Sequence, residues 1–100
     1  MDKKYYTEPT YEVKKLEVGS ILECLYNEYR EHDEDGQIDE DLENAFIRML
    51  SNHIEGKANL AHIKILLRKE YQKGKNREYY VKRMFAKLRL NKGYTNSLAL

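Results

Sequence analysis

Apolar residues recur at helical spacing in four stretches of the chain, with polar residues filling the positions between them. In the first, Val18, Ile21, Leu22, Leu25 and Tyr29 share one face and predict a helix from Ser20 to about Arg30. Ser20 and Glu23 have the spacing of a capping box, in which each side chain bonds the other's backbone N–H, and Gly19 loosens the entry. Residues 13–17 read as an irregular lead-in or an earlier helical turn. Cys24 falls at the edge of the stripe, where a buried, inert thiol is expected. The second stripe, Leu42, Ala45, Phe46, Met49, Leu50 and Ile54, predicts a helix from about Glu40 to Ile54. Asp39 is placed to cap it, and Gly56 to end it in a left-handed turn.

The remaining two helices form a basic hairpin from Ala58 to Lys92, around which the chain reads as organised. Asn59 caps a helix over about Leu60 to Gln72, with Leu60, Ile63, Leu66, Leu67 and Tyr71 inward and Gly74 ending it. Asn76 caps another from Arg77 to about Leu90, with Tyr80, Val81, Met84, Phe85 and Leu88 inward and Gly93 as the stop. Phe46 and Phe85, mid-stripe, are expected in the core. Pro9 pushes the chain before it toward extended geometry, so residues 1–12, with Tyr5, Tyr6 and Tyr11, read as a flexible arm. That arm lies on the core or orders on a partner. The expected fold is all-α: a four-helix domain of consecutive hairpins over residues 13–93, followed by a tail at 94–100.

Composition narrows the setting. One hundred residues make one domain with a small core. No run approaches the ~20 apolar residues of a membrane span. No apolar stretch follows Lys3 and Lys4, so a secretory signal is not expected. A single cysteine cannot form an internal disulfide and fits a reducing, cytoplasmic setting. The Lys-, Glu-, Ile-, Asn- and Tyr-rich usage suits an AT-rich bacterial or phage genome.

Charge is divided along the chain. Residues 1–50 carry 6 Lys/Arg against 14 Asp/Glu, and residues 51–100 carry 12 against 3. Held apart, the halves would orient the protein on a charged partner or pair two copies head to tail as a homodimer. Packed together, they would neutralise each other within one bundle.

The acidic stretch between the first two helices resembles an EF-hand over about twelve residues. Gly36 and Ile38 match the sixth and eighth loop positions, and Asp33, Asp35 and Asp39 match the third, fifth and ninth. The resemblance implies calcium, but Glu31 stands where that family uses Asp, and Leu42 where a bidentate Glu closes the cage. A helix-capping acidic turn accounts for the same residues, and no metal site is read. His32, His53 and His62 lack ligand spacing. Neither a phosphate-binding glycine loop nor a supported nucleophile is present, so neither catalysis nor a cofactor is expected.

Between Lys57 and Lys92 stand 12 Lys/Arg against Glu70 and Glu78. The candidate site for nucleic acid, DNA or RNA, is Lys82, Arg83, Lys87 and Arg89 on phosphates, supported by Lys73, Lys75 and Arg77 from the turn, with Tyr79 stacking. The hairpin also resembles a helix-turn-helix in its short turn and basic second helix. With Gly74 as the turn glycine, however, Glu70 falls where that family wants a small residue, and Tyr80 where it wants an aliphatic one. The alternative function is an adaptor or inhibitor, for example one encoded by a phage, that blocks a host protein. Its acidic loop, Glu31 to Asp41, or its tyrosine-rich surface would meet an oppositely charged protein partner.

Overall fold

The computed structural model describes residues 11–90, which form four α-helices: α1 (Tyr11–Glu31), α2 (Glu40–Ser51), α3 (Leu60–Lys73) and α4 (Arg77–Lys87). The fold is all-α, and its β geometry among the described residues is a single antiparallel bridge between Ile54 and Leu90. Helix α1 packs against all three others, α2 packs on α3, and α3 on α4. The organising element is therefore α1 rather than the basic hairpin. The first ten residues, Lys92, Gly93 and the 94–100 tail lie outside the described residues.

The long α1 corrects the predicted start at Ser20. Ser20 lies inside the helix, so the capping box caps nothing, and Tyr11 and Glu12 are helical rather than part of the arm. Tertiary packing overrides the local signal. Val18 is fully buried, and the Phe85 ring of α4 lies against Gly19. Cys24 is exposed, contrary to expectation. Inward positions drift around a straight helix from turn to turn, and Tyr26 rather than Cys24 enters the core.

The three predicted caps are present. Asp39, Asn59 and Asn76 accept the backbone N–H of Leu42, His62 and Tyr79 at 3.2, 3.1 and 3.0 Å. Each satisfies one of the donors that a helix start leaves open. The C-terminal ends differ more. Helix α2 stops at Ser51, because Asn52, His53 and Ile54 bond carbonyls three residues back instead of four. Gly56 then turns the chain at φ 81° beyond the helix, as its missing Cβ permits. Helix α4 stops at Lys87, and Leu88 is extended. The Glu55 N–H donates to the Arg89 carbonyl at 2.6 Å, while Leu88 is buried in the core. Docking this strand-like end on the α2–α3 loop replaces the last predicted helical turn.

The core holds Val18, Leu22, Leu25, Ile47, Leu50, Leu67 and Met84 beside a cluster of tyrosines. Tyr26, Tyr29, Tyr71 and Tyr80 pack with ring centroids 5.4 to 6.4 Å apart, in edge-on and tilted pairs. Helix α2 is rotated from its predicted face. Glu43, Ile47 and Leu50 are buried, whereas Leu42 and Met49 are 39% and 50% exposed, Ala45 is exposed, and Phe46 is only half-buried. The cause is electrostatic. Arg68 of α3 grips Glu43 with two hydrogen bonds of 2.9 and 2.6 Å, and the Tyr29 hydroxyl donates to it at 2.6 Å. Phe85 and Val81 are also half-buried, leaving Tyr80, Met84 and Leu88 as the buried line of α4.

Candidate functional site

The α3–α4 hairpin turns through Gly74, Lys75 and Asn76. Gly74 closes α3 in extended geometry, and Asn76 opens α4 at once. This tight turn sets the C-terminal part of α3 beside the length of α4, and Glu70 becomes a hub between them. Glu70 is 1% exposed. Lys73 Nζ donates to it at 2.8 Å and Arg83 Nε at 3.1 Å, and Lys87 Nζ lies 3.5 Å away. Arg83 also donates to the Glu70 backbone carbonyl at 2.8 Å. The hydrogen bond from Lys73 holds the Glu70 carboxyl below its ordinary value, against the upward push of burial; Lys87 and Arg83 add to the lowering. The position at which a helix-turn-helix wants a small residue is thus occupied by a buried carboxylate that binds the two helices together.

Three cations converge on this single carboxylate, so the hairpin face keeps an excess of positive charge. Lys73 and Lys87 leave about half of their side-chain surface in solvent, at 52% and 43%. Tyr79 is 64% exposed, with the Arg83 guanidinium 5.7 Å from its ring centroid. Lys82 is exposed one position before Arg83 and makes no ion pair among the described residues. Lys69, four residues before Lys73 and on the same side of α3, is likewise exposed and unpaired among the described residues; its place in the basic face follows from the packing and not from the charge count.

The other predicted site residues are placed elsewhere. Lys75 reaches back to Asp33 at 2.8 Å and lies 5.4 Å from the Tyr71 ring centroid. Its ammonium is held above the usual lysine value, chiefly by the hydrogen bond to Asp33. Arg89 sits 3.7 Å from Glu55, beside the bridge between Ile54 and Leu90. Arg77 is exposed at the first turn of α4. Together with Tyr26, Asn27, Arg30, Lys75 and Asn76 it lines a cleft of about 370 Å³. Lys73, Arg83 and Lys87 therefore form one group with Tyr79 and Lys82 alongside, while Lys75 and Arg77 belong to a second group at the end of the bundle.

In the EF-hand-like loop, Asp33 binds Lys75, Asp35 accepts the Gln37 N–H at 2.8 Å, and Asp39 caps α2. Each of the three aspartates that match the motif thus has a structural partner. Around the turn of α1 just before that loop, Glu28, Glu31 and His32 bring ligand atoms within 4.8 Å of one another, a grouping the histidine spacing did not reveal. Within it His32 lies 3.3 Å from Glu28 on one ring nitrogen and 3.3 Å from Asp35 of the loop on the other.

Compared with known proteins, the chain matches no family model, no curated protein and no solved structure. The described residues include no helix long and apolar enough to cross a membrane.

Proposed function

We propose that the protein is a non-enzymatic binding module that holds the backbone of a nucleic acid along the exposed face of α3 and α4. The carrying observation is the excess of charge at Glu70. One buried carboxylate is met by Lys73, Arg83 and Lys87, so the face retains positive charge after its internal pairing is complete. Lys69 and Lys82 extend that charge without a carboxylate of their own, and the half-open Tyr79 ring offers a surface for a base to stack on.

The test uses Lys69→Ala combined with Lys82→Ala, since neither side chain holds the fold. Labelled single- and double-stranded DNA and RNA are titrated at several salt concentrations. Binding should weaken irrespective of base sequence, and the salt slope should fall by about one unit for each phosphate left without its lysine. Absence of wild-type binding at low salt, or binding that the double change leaves unaltered, overturns the reading.

A protein partner is the second reading, and an observation on α2 favours it. Leu42, Ala45 and Met49 share an outward face although their spacing marks them as core residues. A pull-down with and without nuclease separates the two: recovery of one nuclease-resistant protein supports a protein partner, and nuclease-sensitive recovery supports nucleic acid.

A further inference from the structure

The cleft at the end of the bundle combines features that the proposed nucleic-acid face does not use. It is lined by Tyr26, Asn27 and Arg30 of α1 and by Lys75, Asn76 and Arg77 at the entry to α4. None of these lining residues is acidic. The neighbouring acids Glu31, Asp33, Glu34 and Asp35 line an adjoining cleft that shares Arg30 and Lys75. Arg30 and Arg77 make no ion pair among the described residues, and Lys75 is shared with Asp33.

Two independent features point to a ligand here. The first is the start of α4, an eleven-residue helix. The Asn76 side chain takes the Tyr79 N–H, and the Asn76 carbonyl takes the Tyr80 N–H. These bonds leave the N–H groups of Arg77 and Glu78 at the positive end of the helix dipole. The second is Tyr26. It lines the cleft at 2% exposure, and its buried hydroxyl has no hydrogen-bond partner among the described residues. A buried phenol left unpaired is costly, and an acceptor that displaces the side chains now covering this oxygen would satisfy it. The Tyr71 hydroxyl, on the ring packed 5.4 Å from Tyr26, is likewise unpartnered among the described residues.

We infer that this cleft binds a phosphate monoester group, held by Arg30, Lys75 and Arg77, the first N–H groups of α4 and the Tyr26 hydroxyl. All of these are donors, which suits an acceptor-only dianion with three terminal oxygens. A space of about 370 Å³ accommodates more than a bare ion, so part of the molecule carrying the phosphate enters as well. That molecule is either a free phosphorylated small molecule or the 5′-phosphate of a strand. The inference stands independently of the α3–α4 face.

The experiment follows backbone amide signals of the ¹⁵N-labelled full chain during titration with inorganic phosphate and with uridine 5′-monophosphate, at constant ionic strength and with uridine as control. Saturable shifts at Asn27, Arg77 and Glu78 are expected with the phosphates and not with uridine. Arg77→Gln should weaken binding by about tenfold or more, the usual consequence of losing a charge-assisted hydrogen bond. Tyr26→Phe should weaken binding severalfold while raising the thermal midpoint of the ligand-free protein. Lys69→Ala with Lys82→Ala should leave phosphate binding unchanged, so failure of the face and failure of the cleft are read separately. A 5′-phosphorylated oligonucleotide that binds the cleft more tightly than the mononucleotide assigns the strand end; equal affinity assigns the small molecule. Absence of saturable shifts at these amides, or wild-type affinity in both Arg77→Gln and Tyr26→Phe, overturns the inference.

Discussion

At the scale of single residues, the two buried carboxylates decide how the helices face one another. Glu43 is fully buried, and burial alone would raise its pKa. The hydrogen bonds from Arg68 and Tyr29 outweigh that push and hold it below the ordinary value. Removing Arg68 would leave the buried charge with Tyr29 as its close partner. Arg68→Met should therefore cost about 2–3 kcal/mol, at or below the low end for a broken buried pair, because Arg68 itself is 41% exposed and Lys64 at 3.9 Å gives partial relief. Adding Glu43→Leu should recover most of that loss, since an apolar pair of similar volume needs no charge compensation. Urea midpoints at unchanged slope measure both effects, and a loss below about 1 kcal/mol for Arg68→Met would remove Glu43 from its role. Both carboxylates left a trace in the sequence. Glu43 precedes Ile47 and Leu50 at helical spacing, and Glu70 follows Leu67 in the same way. Assigning them to the core required knowing that Arg68 and Arg83 would arrive from another helix. Their partners stand 25 and 13 residues away, beyond the reach of a local pattern.

At the scale of elements, starts were more legible than ends. An Asn or Asp cap acts within three residues, so Asp39, Asn59 and Asn76 could be read directly. The ends of α2 and α4 depend on contact between the α2–α3 loop and the chain after Lys87, which no local pattern encodes. Helix α1 shows the opposite failure, where a credible start signal lies inside a longer helix. Gly19 is the source of that error, and its packing can be tested. A Cβ added there would meet Phe85 ring carbons at 3.9 Å, an ordinary contact, and Gly19 shows no left-handed backbone. Gly19→Ala should accordingly stabilise the protein by about 0.5–1 kcal/mol, through the helix propensity that glycine lacks. Thermal melts of the two proteins check this. A lowered midpoint would show that Phe85 cannot yield and that glycine is required for close packing of α1 on α4.

At the scale of the whole molecule, the division of charge along the sequence becomes a set of cross-links. Glu43 with Arg68, Glu40 with Lys64 and Asp33 with Lys75 each join an acidic residue of the first half to the basic half of the chain. The charge count was legible, but the choice between separation and neutralisation required the packing of α2 on α3. The same packing gives stability an acid and an alkaline limit. Glu43 and Glu70 both have folded pKa values below the ordinary 4.5, so the unfolded chain takes up their protons first. Their stabilisation is fully present above about pH 4.5 and is lost as pH falls through the lowered values. Tyr29, Tyr71 and Tyr80 shift the other way. Burial is the main cause at each, and it pushes their phenols above the ordinary 10. Their contribution is present below pH 10 and is lost as pH rises through the raised values, because the unfolded chain ionises first. An alkaline titration followed at the tyrosinate absorption band, with helicity recorded in parallel, tests this limit. Tyr29, Tyr71 and Tyr80 should ionise only together with loss of helix. If every tyrosine titrates near the ordinary value with the helices intact, the phenols of the cluster are open to solvent. The tyrosine core would then be incorrectly placed, and with it the packing of α1 against α3 and α4.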